Sequence, residues 1–490
     1  MTRFHGALAI VLAAGFVLGA CAVNPATGKN DFVLMSEQDE IELGSEAHAQ
    51  IVRQFGGAYE DAALQDYVQR VGERLAVNSH RQDLAYRFTV LDSPQVNAFA
   101  LPGGYVYITR GLLAYLNSEA ELAAVLGHEI GHVTARHSVR QISGTRAARI
   151  GYTIGSVLIP ELGNQIGQGL FSVLGGAITS GYGREHELEA DHLGAEYLAR
   201  SGYDPRAMLK VLEVLKDQEL YERQLADEEG RQPRIYHGVF ATHPSSDQRL
   251  QEAVAFAGTE SAGTAETRAP EDFPAYLDGL VYGDSERAGV VRGGTFYHAD
   301  LGVGFTLPAQ WSYENLPERL VLQAPTRDAV LQVSVEDIEQ GESPRELIRH
   351  RNKARAIVQE VEIDPAGLEA YSAVIKAGTQ SAPRVERVSV IYYQERAYLF
   401  TGKARNREAF ERADADFIAT ARNFHPLSET EQAFAAALRI RLRRVDREED
   451  FAELARQSPL NGHAEEQLRL LNQLYPDGVP APGSRLKIIQ

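Results

Sequence analysis

Apolar positions in the first part of the chain recur at helical spacing, switch to strict alternation, and then return to helical spacing. Ser36, followed by the acidic Asp39, Glu40 and Glu42, opens a helix predicted over residues 36–55, and residues 61–77 predict a second. Residues 86–91 alternate like a strand. Residues 97–110 read as strand, Pro102-Gly103-Gly104 turn and strand. Ser118 with Glu121 three residues later is a capping box, so the apolar run at 122–126 predicts a helix, with Ser143-Gly144 as its stop. A further helix starts at Arg184 and ends at Ser201-Gly202. Asp204-Pro205 restart the chain as N-cap and N1 of another, which runs to Ala226. Residues 258–275, rich in Gly, Ala, Thr and Glu, look like linker. Beyond Val290, alternation at 296–307, 320–323, 330–335, 371–377 and 385–401, with helices at 343–357 and 407–421, predicts an α+β domain. A small closing unit has helical stretches at 433–442, 450–456 and 464–471.

Length and composition change this picture little. With 490 residues the chain has room for about three domains. A net charge of −18 leaves no basic surplus to neutralise phosphates, so no nucleic-acid partner is expected. The single cysteine excludes a disulfide framework and a thiolate zinc site. Its position matters more. Residues 1–20 carry Arg3 and then an uncharged apolar segment, too short to span a bilayer, which reads as a signal peptide. That segment ends Leu18-Gly19-Ala20-Cys21, which resembles a bacterial lipobox. Cys21 is therefore the expected lipidation site, and Ala22 after it favours the outer membrane. The expected organisation is signal peptide at 1–20, tether at 21–35, a first domain at 36–257, linker at 258–289, α+β domain at 290–425 and a small unit at 430–490.

The chemistry lies in His128-Glu129-Ile130-Gly131-His132. Four helical residues advance about 400°, so His128 and His132 project within about 40° of each other. Two imidazoles one turn apart can share a Zn²⁺, and Glu129 beside them can take a proton from water. Gly127 and Gly131 are poor helix formers, and we expect them to admit a neighbouring backbone close to the metal. On a continuous helix His137 points about 180° from His128 and is not a ligand of the same set. A third ligand is sought at residues 185–191, where Glu187 with Asp191 and Glu185 with Glu189 are each four apart on one face. Gly104, Tyr105, Val106, Tyr107 and Ile108 are the candidate substrate strand, an exposed edge to which an extended peptide adds by backbone hydrogen bonds. The Gly-rich residues 151–183 read as a mobile cover over the site.

Four motifs fall in order: Asn97-Ala-Phe-Ala-Leu-Pro-Gly-Gly104; His128-Glu129-Ile-Gly-His132-Val-Thr-Ala-Arg-His137; Glu187-Leu-Glu-Ala-Asp191; and His243-Pro244 with Arg249. Across residues 36–257 they resemble the zinc metalloendopeptidases related to the CAAX prenyl and heat-shock membrane proteases, within the gluzincins. The likeness is to their soluble, lipid-anchored periplasmic branch. The resemblance implies a mostly helical peptidase domain with a small β element and one Zn²⁺ per chain. It makes Glu187 the third ligand and Asp191 the group that orients a ligand histidine. It places His243 near the metal, as fourth ligand or oxyanion stabiliser. Residues 290–425, with Phe305-Thr-Leu-Pro-Ala-Gln-Trp311 near their start, are similar to PsbP-like modules. Residues 430–490 resemble a degenerate LysM-type peptidoglycan-binding unit. The expectation is a zinc-dependent endopeptidase of the bacterial cell envelope, in the periplasm and lipid-anchored to the outer membrane, hydrolysing unfolded or misassembled envelope proteins. The alternative is a lipoprotein scaffold or assembly factor that binds envelope partners or peptidoglycan, with latched or minor proteolysis.

Overall fold

The computed structural model describes residues 21–145, 182–228, 272–338, 341–352, 355–379, 382–445, 451–460 and 462–490, with Pro233 and Glu252 as isolated positions. The signal peptide, His243, most of the Gly-rich cover and the first part of the linker lie outside the described residues. The chain divides into two compact units, one of residues 1–53, 57–280 and 439–490, the other of 54–56 and 281–438.

The first unit opens with a hairpin, β1 (Cys21–Val23) paired antiparallel to β2 (Asn30–Phe32). The expected tether is therefore folded. Buried Asn24 pins it, its Nδ2 donating to Asp31 Oδ2 at 2.7 Å and to Ala135 O at 3.2 Å. Helix α1 (Glu37–Gln54) carries three acidic residues in its first turn, where they complement the positive end of the helix dipole. Helix α2 (Ala62–Ala76) is capped by Asp61, whose side chain accepts from Leu64 N, and it buries Leu64, Tyr67, Val68, Val71 and Leu75 along one stripe.

Strands β3 (Arg87–Leu91), β4 (Ala98–Leu101) and β5 (Tyr105–Thr109) form a sheet in the order β3-β5-β4. Gly103 and Gly104 make the turn at positive φ, 79° and 88°. This corrects the expected substrate strand. β5 runs parallel to β3 on one side and antiparallel to β4 on the other, so Tyr105, Val106, Tyr107 and Ile108 sit in a central strand and Gly104 in its turn. A strand paired on both sides has no free edge to offer.

The short helix α3 (Arg110–Leu113) leads into α4 (Glu119–Thr134), and α5 (Arg184–Arg200) and α6 (Ala207–Glu228) follow. α4 stops well before Ser143. Arg136 takes a left-handed φ of 57° and is held there by Nε donating to Glu40 Oε2 (3.0 Å) and Nη2 donating to Met35 O (3.2 Å). Residues 137–145 resume as a separate helix. The second half of the predicted linker is also structured: Phe273 is buried, and Phe273 and Tyr276 stack on Tyr67 of α2.

The second unit is α+β. Its seven-stranded antiparallel sheet runs in the order Ser312–Leu316, Arg319–Gln323, Ala329–Asp337, Arg396–Ala404, Ala382–Tyr393, Ala370–Thr379 and Ala356–Val361. Helix Arg407–Arg422 packs Phe410 and Phe417 into its core. The stretch predicted as one strand at 385–401 is two, joined at Gln394-Glu395, both at positive φ (49° and 60°). The predicted helix at 343–357 ends at Arg351, and a strand follows it.

Residues 439–490 pack within the first unit rather than standing apart. The helix expected at 433–442 is corrected: β6 (Leu438–Arg444) is a strand, since Leu, Ile and Leu alternate with Arg at period two. Helices α7 (Phe451–Gln457) and α8 (Ala464–Leu471) follow, and β7 (Arg485–Ile489) pairs antiparallel with β6. Among the described residues no helix is long and apolar enough to cross a membrane.

Candidate metal centre

α4 is buried over nearly its whole length, as its apolar composition requires. Ser118 caps it, Oγ accepting from Glu121 N at 3.2 Å, while the Glu121 carboxylate accepts from Asn117 N at 2.7 Å. Glu119 in its first turn is buried, and burial alone would raise its carboxyl. Hydrogen bonds from Tyr203 and Tyr67 and the Arg74 guanidinium hold it below its ordinary range.

α5 lies directly against α4, and three glycines set the approach. A Cβ on Gly131 would meet Ala190 O at 2.9 Å, one on Gly127 would meet Gly194 O at 3.3 Å, and one on Gly194 would meet His128 N at 2.9 Å. The expectation that Gly127 and Gly131 admit a neighbouring backbone thus acquires a partner, the helix that carries the acidic pair. Of the two candidate pairs, Glu187 and Asp191 are buried and face α4. Glu185 is exposed, and Glu189 turns to His137 and Arg140.

His128, His132 and Glu187 each offer one ligand atom, and these lie within 4.8 Å of one another. His128 Nε2 is 3.0 Å from His132 Nε2 and 3.6 Å from Glu187 Oε2, and His132 Nε2 is 3.5 Å from Glu187 Oε1. Ligands of a tetrahedral zinc with bonds of about 2.05 Å stand about 3.3 Å apart, so this set of two imidazoles and one carboxylate fits Zn²⁺. The far nitrogens are held as well. His128 Nδ1 is 2.9 Å from Asp191 Oδ1. His132 Nδ1 is 2.8 Å from His137 Nδ1, and His137 Nε2 is 3.0 Å from Glu189 Oε2. One tautomer set satisfies the second chain: His132 donates from Nδ1 to His137, and His137 donates from Nε2 to Glu189.

His137 and Glu189 are contacts of the candidate centre that the sequence does not reveal. On a continuous helix His137 faces away, and only the left-handed Arg136 brings it to His132. No glycine or proline marks that break. Burial lowers the His137 ring pKa despite Glu189. Burial also works to raise Glu189, but the His137 hydrogen bond and the Arg140 guanidinium hold that carboxyl down at about 2. Tyr182 stacks on His132 with ring centroids 4.1 Å apart and bonds Ser138 Oγ at 2.6 Å.

Beside His128 and buried Glu129 opens an apolar pocket, walled by Ala98 of β4, Leu112 of α3, Val125 of α4 and Met208, Leu212 and Leu215 of α6. Three layers of the unit thus meet at the residues expected to do the chemistry.

Residues 62–257 match the family model described as Peptidase family M48. The beta-barrel assembly-enhancing proteases of Yersinia pestis and Escherichia coli (strain K12) are each 32% identical, over 235 and 238 residues, covering 47% of this chain and 46% of each of those proteins. The chain thus matches under half the length of these relatives. The mitochondrial metalloendopeptidase OMA1 of Schizosaccharomyces pombe is 30% identical over 231 residues, covering 46% of this chain and 64% of that protein. Among solved structures, the cyanobacterial PsbP from Synechocystis sp. PCC 6803 is similar at 15% identity and a TM-score of 0.24, over 28% of this chain and 98% of that one. The segment that matches peptidase family M48, residues 62–257, contains the whole His-His-Glu cluster, and the match supports a gluzincin metallopeptidase domain there.

Proposed function

We propose that the chain is a zinc metalloendopeptidase of the bacterial cell envelope that hydrolyses unfolded or misassembled envelope polypeptides. The observation that carries this reading is the convergence of His128, His132 and Glu187 from two helices, with Glu129 in the same turn. Zn²⁺ at these three residues supplies Lewis-acid polarisation of the scissile carbonyl and lowers the pKa of water toward about 7. Glu129 takes the proton from the attacking water and later delivers it to the leaving amine. Asp191 and His137 fix the two imidazoles so that both Nε2 atoms face Glu187. The apolar pocket beside Glu129 excludes bulk water and takes up substrate side chains.

The names of the two bacterial relatives support an envelope setting. The apolar leader ending at Cys21 supports lipidation there, and with it a periplasmic site on the outer membrane. His243 is proposed as fourth ligand or oxyanion stabiliser from its motif. The motif at Phe305 to Trp311 supports a PsbP-like reading of residues 290–425. The Pro482-Gly483-Ser484-Arg485-Leu486 ending supports a LysM-like reading of the last residues, with peptidoglycan as partner. Glu129→Gln tests the chemistry: hydrolysis of unfolded casein should fall at least about 100-fold with zinc content unchanged. A variant that cleaves at the original rate would remove Glu129 from the mechanism. One that loses cleavage yet keeps full envelope function would favour the scaffold reading.

A further inference from the structure

The loop between α3 and α4 leaves backbone acceptors to be satisfied. The last carbonyls of any helix lack intrahelical donors, and α3 ends at Leu113 with Ala114 as its C-cap. Three successive carbonyls here are met by one distant stretch of chain. Lys487 Nζ donates to Ala114 O and, at 3.0 Å, to Leu116 O. Gln473 Nε2 donates to Tyr115 O at 3.0 Å. The same amide reaches Glu121 Oε2 at 2.7 Å, the carboxylate oxygen that accepts from Asn117 N next to the cap of α4. Asn472, next to Gln473 in the chain, holds the Lys487 backbone, its Oδ1 accepting from Lys487 N at 2.8 Å and its Nδ2 donating to Lys487 O at 2.9 Å. Lys487 is 3% exposed, and a buried ammonium needs acceptors as specific as these. Tyr475 adds a bond to Gln224 of α6 at 2.9 Å.

Gln473 carries a second signal. It stands just past the C-cap Asn472 of α8 at φ 57°, where Leu474 N closes on Arg469 O at 2.8 Å. That position favours glycine, because a Cβ is strained in the left-handed region. A glutamine there forgoes the relief and keeps a side-chain amide aimed at the α3–α4 loop.

We propose that Gln473 and Lys487 are positioning residues of the metal centre. They hold the loop from Ala114 to Ser118 and, through it, the depth at which α4 presents His128, Glu129 and His132 to Glu187 and Asp191. Leu112 of α3 lines the pocket beside Glu129, so the same clamp sets that wall. The C-terminal residues are thus a working part of the peptidase unit. This inference rests on the peptidase reading above.

Gln473→Gly is the discriminating variant, because glycine suits φ 57° and its substitution takes away the side chain that carries the amide. The full-length chain is measured in two ways: zinc affinity by chelator competition without substrate, and steady-state hydrolysis of unfolded casein. Zinc affinity should weaken about tenfold, as for other groups that orient a metal site. The kcat should fall about tenfold with KM within about twofold, and the melting temperature should not drop, since glycine relieves the backbone. Lys487→Met should show the same losses together with a lower melting temperature. If that variant does not fold, Gln473→Gly decides alone. Wild-type zinc affinity and kcat in folded Gln473→Gly overturn the proposal, and so does a lower melting temperature with both unchanged. If the wild-type chain binds zinc but cleaves nothing, the peptidase reading fails, and the zinc affinity of Gln473→Gly still settles the positioning claim.

Discussion

The two ends of α4 are held in different ways, and by opposite ends of the chain. At the N-terminal end, Gln473 and Lys487 bind the entering loop from more than 350 residues away, and Glu119 ties the first turn to Tyr67, Arg74 and Tyr203. At the C-terminal end, Arg136 breaks the helix against Glu40, His137 swings back to His132, and Asn24 of the first hairpin caps Ala135 O. The contacts at the first end reach backbone and cap, so they set where the helix lies. Those at the second end include the His132 ring, so they set which way an imidazole points. Between the two, glycines at 127 and 131 bring α5 into backbone contact, and α5 supplies Glu187 and Asp191.

The predictions bear on this division of labour, the largest first. Gly131→Val puts a Cβ 2.9 Å from Ala190 O and must push α5 away. Activity on unfolded casein should fall about 100-fold or more, as expected for a misplacement of about 1 Å, and near-wild-type activity would show that the helix crossing is not tight. His137→Ala removes the partner of His132 Nδ1. Zinc affinity by chelator competition should weaken about 10- to 100-fold. If it weakens less than in Gln473→Gly, the roles assigned to the two ends are reversed.

The third prediction concerns pH. Burial depresses the Lys487 ammonium from its ordinary 10.5 to about 7, against the opposing pull of Glu121, the carboxylate nearby. Between those values the unfolded chain binds a proton that the folded chain does not. Stability should therefore rise with pH from about 7 to about 10, by at most about 1.4 kcal/mol per pH unit, and the penalty is fully present below about 7. Urea unfolding at pH 7 and pH 9 should show the slope, and Lys487→Met should flatten it. An equal slope in both proteins would assign it to other groups. The smallest effect is at the hairpin: Asn24→Ala should lower stability by about 1 kcal/mol in the same assay and leave zinc affinity unchanged.

Much of the site was legible because its signals are local. Ser118, Glu121 and the apolar run place α4, and the spacing of His128 and His132 puts two nitrogens on one face. The four-residue spacing of Glu187 and Asp191 made them one of two candidate pairs, and the family resemblance chose between the two. What escaped the sequence depends on distant partners. The break at Arg136 is set by Glu40 and Met35, with no glycine or proline to announce it, so His137 read as facing away. The turn at Gln394-Glu395 lacks the Asn-Gly signature and merged two strands into one. Tyr105 to Ile108 alternate like any strand, and only the order β3-β5-β4 shows that both sides are taken. Lys487 and Gln473 read as polar residues of a closing unit, because nothing local reveals that carbonyls at Ala114, Tyr115 and Leu116 await them.

The central claim is that His128, His132 and Glu187 hold one zinc ion across the α4–α5 contact. Elemental analysis of the purified full-length chain beside Glu187→Ala tests it most directly, since the substitution touches one ligand and neither histidine. The account predicts about one zinc per wild-type chain, and a loss of most of it in folded Glu187→Ala, because two imidazoles alone are an incomplete site. Equal zinc in both proteins, or none in the wild type after zinc supplementation, would contradict it.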